Sequence, residues 1–233
     1  MNTNAESPAT RQRIFDAGVR LFARRGYEAV GIRDIARAAG ANIAGVNYYY
    51  GGKLGLLKAI LERYIRGYWS ALGAVAEQNL PVRAHSRGTI QALIRFYRES
   101  IELAVAAENS GVARIPEANA LVAKLRAAYR EGNNAHFARL GLDLDDQAAM
   151  TVMRGLLTNI IASHFHARYE HDVVVGPPQG LTREERAKLP ELSTKYDDDF
   201  YERFSGKLTD FYLAGVRAIR PDRRTREPRR KRK

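Results

Sequence analysis

Between Asn42 and Lys53 the chain reads "NIAGVNYYYGGK". The stretch sets hydrogen-bonding groups beside very small residues. The Asn47 amide can pair with an adenine edge or reach a phosphate. Tyr48 and Tyr49 carry hydroxyls able to donate to phosphate oxygens. Lys53 brings a charge to the start of the next helix, where unpaired backbone N–H groups act on the same anion. Ala44 and Gly45 are small, and glycine inside a helix costs about 1 kcal/mol relative to alanine. Close approach to another body is one reason to accept that cost. Tyrosines adjacent in a helix point about 100° apart, so the triplet cannot face one way. Val46 and Tyr50 lie four apart on one face and are assigned to a core, which turns Tyr48 and Tyr49 elsewhere.

A second group, "HFHARYEHD" at 164–172, suggests metal ligation. His164 and His166 stand two apart, so on a helix they diverge by about 200° and do not chelate together. His171 and Asp172 fall in a loop. With no cysteine in the chain and no His pair four apart, no metal site is expected. No nucleophile–base–orienter set and no phosphate-cradling glycine loop is found, so neither an enzyme nor a bound cofactor is expected.

These groups need helices to position them. The 233 residues show little strand-like alternation, and glycine and proline are scarce inside long periodic segments. An all-α fold is predicted. A first helix starts near Ser7–Thr10, shows an apolar face at Ile14, Ala17, Gly18, Leu21 and Phe22, and stops at Gly26. Short helices follow at Ile32–Ala38 and Ile43–Tyr50, the latter capped by Asn42 and ended by Gly51 and Gly52. A fourth helix from Lys53 to about Asn79 would span about 40 Å and leave the small unit. Further helices are placed near 86–108, 117–139, 145–168 and 192–219. A long connection precedes the last, with one helical turn at Thr182–Leu189.

Charge sharpens this division. Residues 1–65 hold ten Lys and Arg against five Asp and Glu, 66–219 hold nineteen of each, and 220–233 hold nine against two. The excess of +12 therefore sits at the two ends, which implies contact with a polyanion there. The tail "RPDRRTREPRRKRK" is also what a solvated, disordered end looks like. No secretory signal and no membrane-spanning run of about 18 apolar residues is read, so a cytoplasmic location without membrane contact is expected.

Two short helices joined by a glycine-containing turn after one packing helix form a helix-turn-helix pattern, whose second helix lies in the DNA major groove. The residues "LFARRGYEAVGIRDIARAAGANIAGVNYYYGGKLGLL" carry the resemblance further. Residues 10–57 resemble the DNA-binding domain of the TetR family of bacterial regulators, whose pattern runs "LFaerGye" and then "T-vrdIA-x-x-AGVs-x-gtlY-x-YF-x-x-K-e-x-L". "ANIAGVNYYYGGKLGLL" is especially similar to a CecR-like subgroup, which reads "ANiAaiNYhFGsKegLy". The resemblance implies that Arg33 reaches a base or phosphate. It implies that Ile43, Ala44, Gly45 and Asn47 face the groove, and that Tyr48, Tyr49 and Lys53 touch the backbone. Tyr50 matches a core aromatic. Gly31 departs from the usual Thr or Ser, Asn47 from the usual Tyr, and Leu54 from the usual Glu.

Three regions result, the first two implied by the resemblance and the third by the charge count. Residues 1–57 form the helix-turn-helix domain (motif 31–50), 58–219 a helical ligand-binding and dimerisation domain, and 220–233 a basic disordered tail. A homodimer is expected to bind a palindromic double-stranded DNA operator, most often as a repressor, under an unknown small-molecule effector. Met150, Met153, Leu157, Ile160 and Ile161, with Gly155 for close approach, and Phe200, Phe204, Leu208, Phe211, Tyr212 and Val216 mark two helices for a four-helix interface or for ordinary intrachain core. Trp69, Phe96, Tyr97, Tyr129, Phe137, Met150 and His164 are candidates to line the effector pocket, each equally able to be core. The competing reading is a helical small-molecule-binding dimer whose first domain makes protein contacts and whose tail binds polyanions without sequence preference.

Overall fold

Apolar residues at helical spacing have to find partners, and in the computed structural model they do so helix against helix. The structure describes residues 8–170 and 196–219, and no strand occurs among them. In chain order the helices are α1 (Pro8–Arg25), α2 (Ile32–Ala38), α3 (Ile43–Tyr50), α4 (Lys53–Ala76), α5 (Val82–Glu108), α6 (Pro116–Ala128), α7 (Arg130–Arg139), α8 (Gln147–Tyr169) and α9 (Asp198–Ile219), with a 3₁₀ turn at Val112–Arg114.

The small N-terminal head follows from its local signals. Asn42 is extended and its Oδ1 accepts from the Gly45 N–H at 2.7 Å, capping α3. Gly51 takes the left-handed conformation (φ 69°) that ends α3, and its N–H donates to the Asn47 carbonyl at 2.8 Å. Gly31 caps α2 without a side chain, and Asp34 compensates by accepting from the Gly31 N–H at 3.0 Å. Gly55 allows α3 to abut α4, because a Cβ there would stand 1.6 Å from the Tyr50 carbonyl oxygen.

Two cores hold the chain. The first joins Ile14, Phe22, Ile35 and Val46 of the head to Leu56, Leu57, Ile60 and Ile65 of α4. It is completed by Val105, Ala106 and Ala107 at the end of α5 and by Ala118 and Val122 of α6. The head's core is thus not closed within residues 1–57. The second core gathers Ile90, Leu93 and Tyr97 of α5, Met150, Met153 and Ile161 of α8, and Leu208, Tyr212 and Val216 of α9. Tyr64 and Ile101 pack against both. Helix α5 serves both cores and breaks its helical geometry at Ser100 (φ −134°, ψ 29°), about one turn before it passes from the second to the first.

Several expected bounds shift. Helix α4 stops at Ala76, about 36 Å from its start, with the Glu77 N–H folding back onto the Gly73 carbonyl. Helix α5 begins at Val82, directly after Pro81. The helix expected over 117–139 is two, interrupted at Tyr129 (φ −101°, ψ 3°). The ring of Tyr129 stacks on Trp69 with centroids 5.4 Å apart. The connection with its expected turn at Thr182–Leu189, and the basic tail, lie outside the described residues.

Candidate nucleic-acid interface and internal cavity

On α3, Gly45 and Val46 turn inward, while Ile43, Ala44, Asn47 and Tyr48 turn out. The outward four lie at i, i+1, i+4 and i+5, one stripe along the helix. Tyr48 is 72% exposed and Ile43 37%. The stripe combines one amide, one phenol and two small or branched apolar groups, which suits hydrogen bonding and methyl contact in a groove.

Gly45 was expected on this stripe and is not there. It is buried, and a Cβ on it would meet Asn42 Oδ1 at 3.3 Å and Ile14 Cδ1 at 3.9 Å. Its small size lets α3 sit on its own cap and against α1. The remaining tyrosines divide by geometry. Tyr49 is half-buried against the head core and holds the Tyr48 ring edge-on, with centroids 5.0 Å apart. Tyr50 is half-buried as well, and its hydroxyl donates to the Arg11 carbonyl at 2.9 Å, tying α3 to α1. Arg33 is exposed in the first turn of α2.

Lys53 opens α4 and is half-buried, its Nζ 4.0 Å from the centre of the Tyr27 ring. Burial lowers its pKa, and the nearby Glu28 carboxylate opposes that shift. The ring contact holds the ammonium over the Tyr27 face. Arg13 braces the turn between α2 and α3 by donating from Nε to the Ala39 carbonyl at 3.2 Å.

In the larger region, α4, α5, α6, α7 and α8 line a partly open cavity of about 850 Å³. Of the residues expected to line it, Trp69, Tyr129 and Phe137 do. Phe96 and Tyr97 do not: Phe96 fills the space above Gly67, and Tyr97 is wholly buried and stacks on Phe165. Met150 lies wholly inside the second core. His164 belongs to an aromatic cluster with Tyr196, Phe200, Tyr201 and Phe204. Those four positions fill space between helices where the cavity does not reach.

The polar lining was missed in the sequence. The Tyr68 hydroxyl lies 2.9 Å from Thr158 Oγ1, joining α4 to α8. His85 Nε2 lies 2.9 Å from His136 Nδ1, and His136 Nε2 lies 3.3 Å from the Tyr212 hydroxyl. Burial depresses both imidazoles, His136 to about 4, and each is further opposed by Arg139. A signal did exist, because His85 and Thr89 interrupt the apolar stripe that continues as Leu93 and Phe96.

Behind Tyr64, Glu108 accepts from the hydroxyls of Tyr64 and Tyr97, the latter at 2.6 Å, and its Oε2 lies 2.8 Å from His166 Nε2. Burial pushes this carboxyl up, but the bonds from His166, Tyr64 and Tyr97 reverse the shift and leave it below its ordinary range. Among the described residues no group of three or more metal-binding side chains occurs, and no helix is long and apolar enough to cross a membrane.

Residues 14–60 match the family model of the bacterial regulatory proteins, tetR family. The chain is 32% identical over 68 residues to the probable HTH-type transcriptional regulator YttP of Bacillus subtilis (strain 168), covering 29% of this chain and 33% of that protein. It is 30% identical over 131 residues to the HTH-type transcriptional repressor KstR2 of Rhodococcus jostii (strain RHA1), covering 56% and 60%. The chain therefore spans between about a third and three fifths of these curated relatives. A crystal structure of a bacterial regulatory protein in the tetR family from Rhodococcus RHA1 superposes with a TM-score of 0.62 at 19% identity, over 91% of this chain and 98% of that one, a likeness of fold. The helices that present Asn47 and Tyr48 thus lie within the stretch, residues 14–60, that is similar to the bacterial regulatory proteins of the tetR family.

Proposed function

We propose that the chain is a dimeric, ligand-responsive transcriptional regulator, a repressor that reads a palindromic operator and is released by a small molecule held in the cavity. The observation that carries the reading is the outward stripe Ile43, Ala44, Asn47 and Tyr48 on a helix capped at both ends. Arg33, Lys53 and the rim tyrosines supply phosphate contacts around it. The similarity of "ANIAGVNYYYGGKLGLL" to the CecR-like pattern supports placing the chain near that subgroup. A repressor of this kind works where the chromosome is, in the cytoplasm.

The dimer surface is narrower than the sequence suggested. Met150, Met153, Leu157, Ile161, Leu208, Tyr212 and Val216 are buried within one chain, and Gly155 lines the cavity. What remains outward is Val152, 52% exposed on α8, and Phe211, 57% exposed on α9, flanked by half-buried Leu156, Ile160, Phe200 and Phe204. A second copy placed there forms a four-helix interface and sets two heads at half-sites about 34 Å apart. Selection of bound sequences from random duplex DNA, with the Phe211→Asp variant alongside, tests this. Wild type should enrich an inverted repeat, whereas Phe211→Asp should sediment as a monomer and bind single half-sites weakly. Enrichment of no sequence at all would sink the reading.

A further inference from the structure

Tyr97 and Glu108 stand eleven residues apart on α5, yet the Tyr97 hydroxyl donates to Glu108 Oε1 at 2.6 Å. Eleven residues make about three turns, so the two side chains leave the same face of the helix. In an unbroken helix their Cα atoms would lie about 16 Å apart. That exceeds the combined reach of a tyrosine and a glutamate side chain. The bond exists because α5 bends between them, at Ser100 (φ −134°, ψ 29°). Proline and glycine, the residues that most often bend a helix, are both absent between the two.

Three helices share this clasp. Tyr64 of α4 donates to the same Glu108 oxygen, and its hydroxyl lies 3.3 Å from that of Tyr97. Glu108 Oε2 lies 2.8 Å from His166 Nε2 on α8. Burial raises the pKa of both phenols, so both keep their protons and donate. Hydrogen bonds to a carboxylate are stronger than those between neutral groups.

The bend matters because of what lies on either side of it. Before it, Ile90, Leu93 and Tyr97 belong to the second core, with α8 and α9. After it, Val105, Ala106 and Ala107 belong to the first core, with the N-terminal head. The angle at Ser100 therefore sets where the head stands relative to α8 and α9. Tyr64 also lines the cavity, so one member of the clasp stands on the cavity wall.

We propose that Glu108 is a positioning residue: by clasping Tyr97 and Tyr64 it fixes the bend of α5, and with it the placement of the head. Its effect on DNA binding rests on the function proposed above, whereas its effect on the bend does not.

The chain has no cysteine, so a pair introduced at the exposed Ala84 and Asn109 takes spin labels at those two positions alone. Labelled full chain is diluted into unlabelled chain, and the distance is read by double electron–electron resonance. Glu108→Leu and Tyr97→Phe should each lengthen it by several ångströms, toward the about 37 Å that an unbroken helix would place between these Cα atoms. Glu108→Gln, which keeps an acceptor, should restore most of the original distance. Tyr64→Phe should act in the same direction and less. Affinity for the selected duplex should fall several-fold in Glu108→Leu, with the slope of log affinity against log salt unchanged, because no phosphate contact is lost. Circular dichroism and denaturant titration check the fold of each variant, and Tyr97→Phe, which removes one hydroxyl, keeps the test open if Glu108→Leu does not fold. An unchanged distance in Tyr97→Phe, or a Glu108→Gln variant that behaves like Glu108→Leu, overturns the proposal. If wild type selects no DNA sequence, the DNA-binding reading fails, and the distance measurement still decides the clasp.

Discussion

Asn47 and Lys53 both belong to the proposed DNA surface, yet their positions predict different losses. Asn47 projects from the exposed stripe of α3, which the proposed reading sets against base edges, whereas Lys53 sits at the opening of α4 against the Tyr27 ring. Asn47→Ala should lower affinity for the selected sequence by about 1–3 kcal/mol and hardly alter binding to random duplex. Lys53→Ala should weaken both alike and reduce the slope of log affinity against log salt by about one. Fluorescence anisotropy with both duplexes over a range of salt distinguishes the two. If both substitutions act on the two duplexes in the same proportion, the division between base and backbone contacts is wrong. Residue by residue, the head was largely legible because its signals are local. Asn42 as cap, Gly51 as stop and the outward Asn47 and Tyr48 all follow from spacing along a few turns. Gly45 was misread because a small residue suits either close approach to a groove or close packing against α1, and only the seated helix decides between them.

At the level of elements, α3 meets its successor at one very close contact. The ideal Cβ of residue 55 would lie 1.6 Å from the Tyr50 carbonyl oxygen, inside any tolerable separation. Gly55→Ala must therefore move α3 away from α4 and disturb the packing of Val46 and Leu56, both wholly buried. The expected result is destabilisation by about 1–3 kcal/mol or more in denaturant titration, with specific DNA binding lost well before the far-ultraviolet helix signal. An alanine variant with unchanged stability and operator affinity would show that the abutment is looser than described. Helix positions were readable from periodicity, but the break at Tyr129 was not, because no proline or glycine marks it. Its cause is tertiary, the stacking of Tyr129 on Trp69 from α4. The cavity was hidden for the same reason. Five helices line it, and an aromatic such as Phe96 or Tyr97 looks alike in sequence whether it lines a space or fills one.

For the whole molecule, the buried imidazoles make stability depend on pH in a definite direction. His136 titrates at about 4 in the folded chain and close to its ordinary value when unfolded, and His85 is shifted the same way. Between those values the unfolded chain binds more protons, so stability rises with pH through that window and levels off above about 6.5. Acidification from about pH 7 to about pH 5 should lower Tm, and His136→Gln should flatten that fall. Glu108, held below its ordinary range, adds a further loss only at lower pH. Calorimetric scans across this range check the sign, and a Tm that rises on acidification would contradict the burial of a neutral pair.

The shared first core has a consequence for module exchange among regulators. Val105, Ala106 and Ala107 of α5 and Ala118 and Val122 of α6 close over the same apolar residues that the head contributes. A head transplanted onto another regulator by a cut at residue 57 would leave that surface behind and meet a foreign one. Grafts that exchange operator preference should instead keep the scaffold and replace only the outward stripe of α3, whose residues face away from every helix that the exchange would have to match.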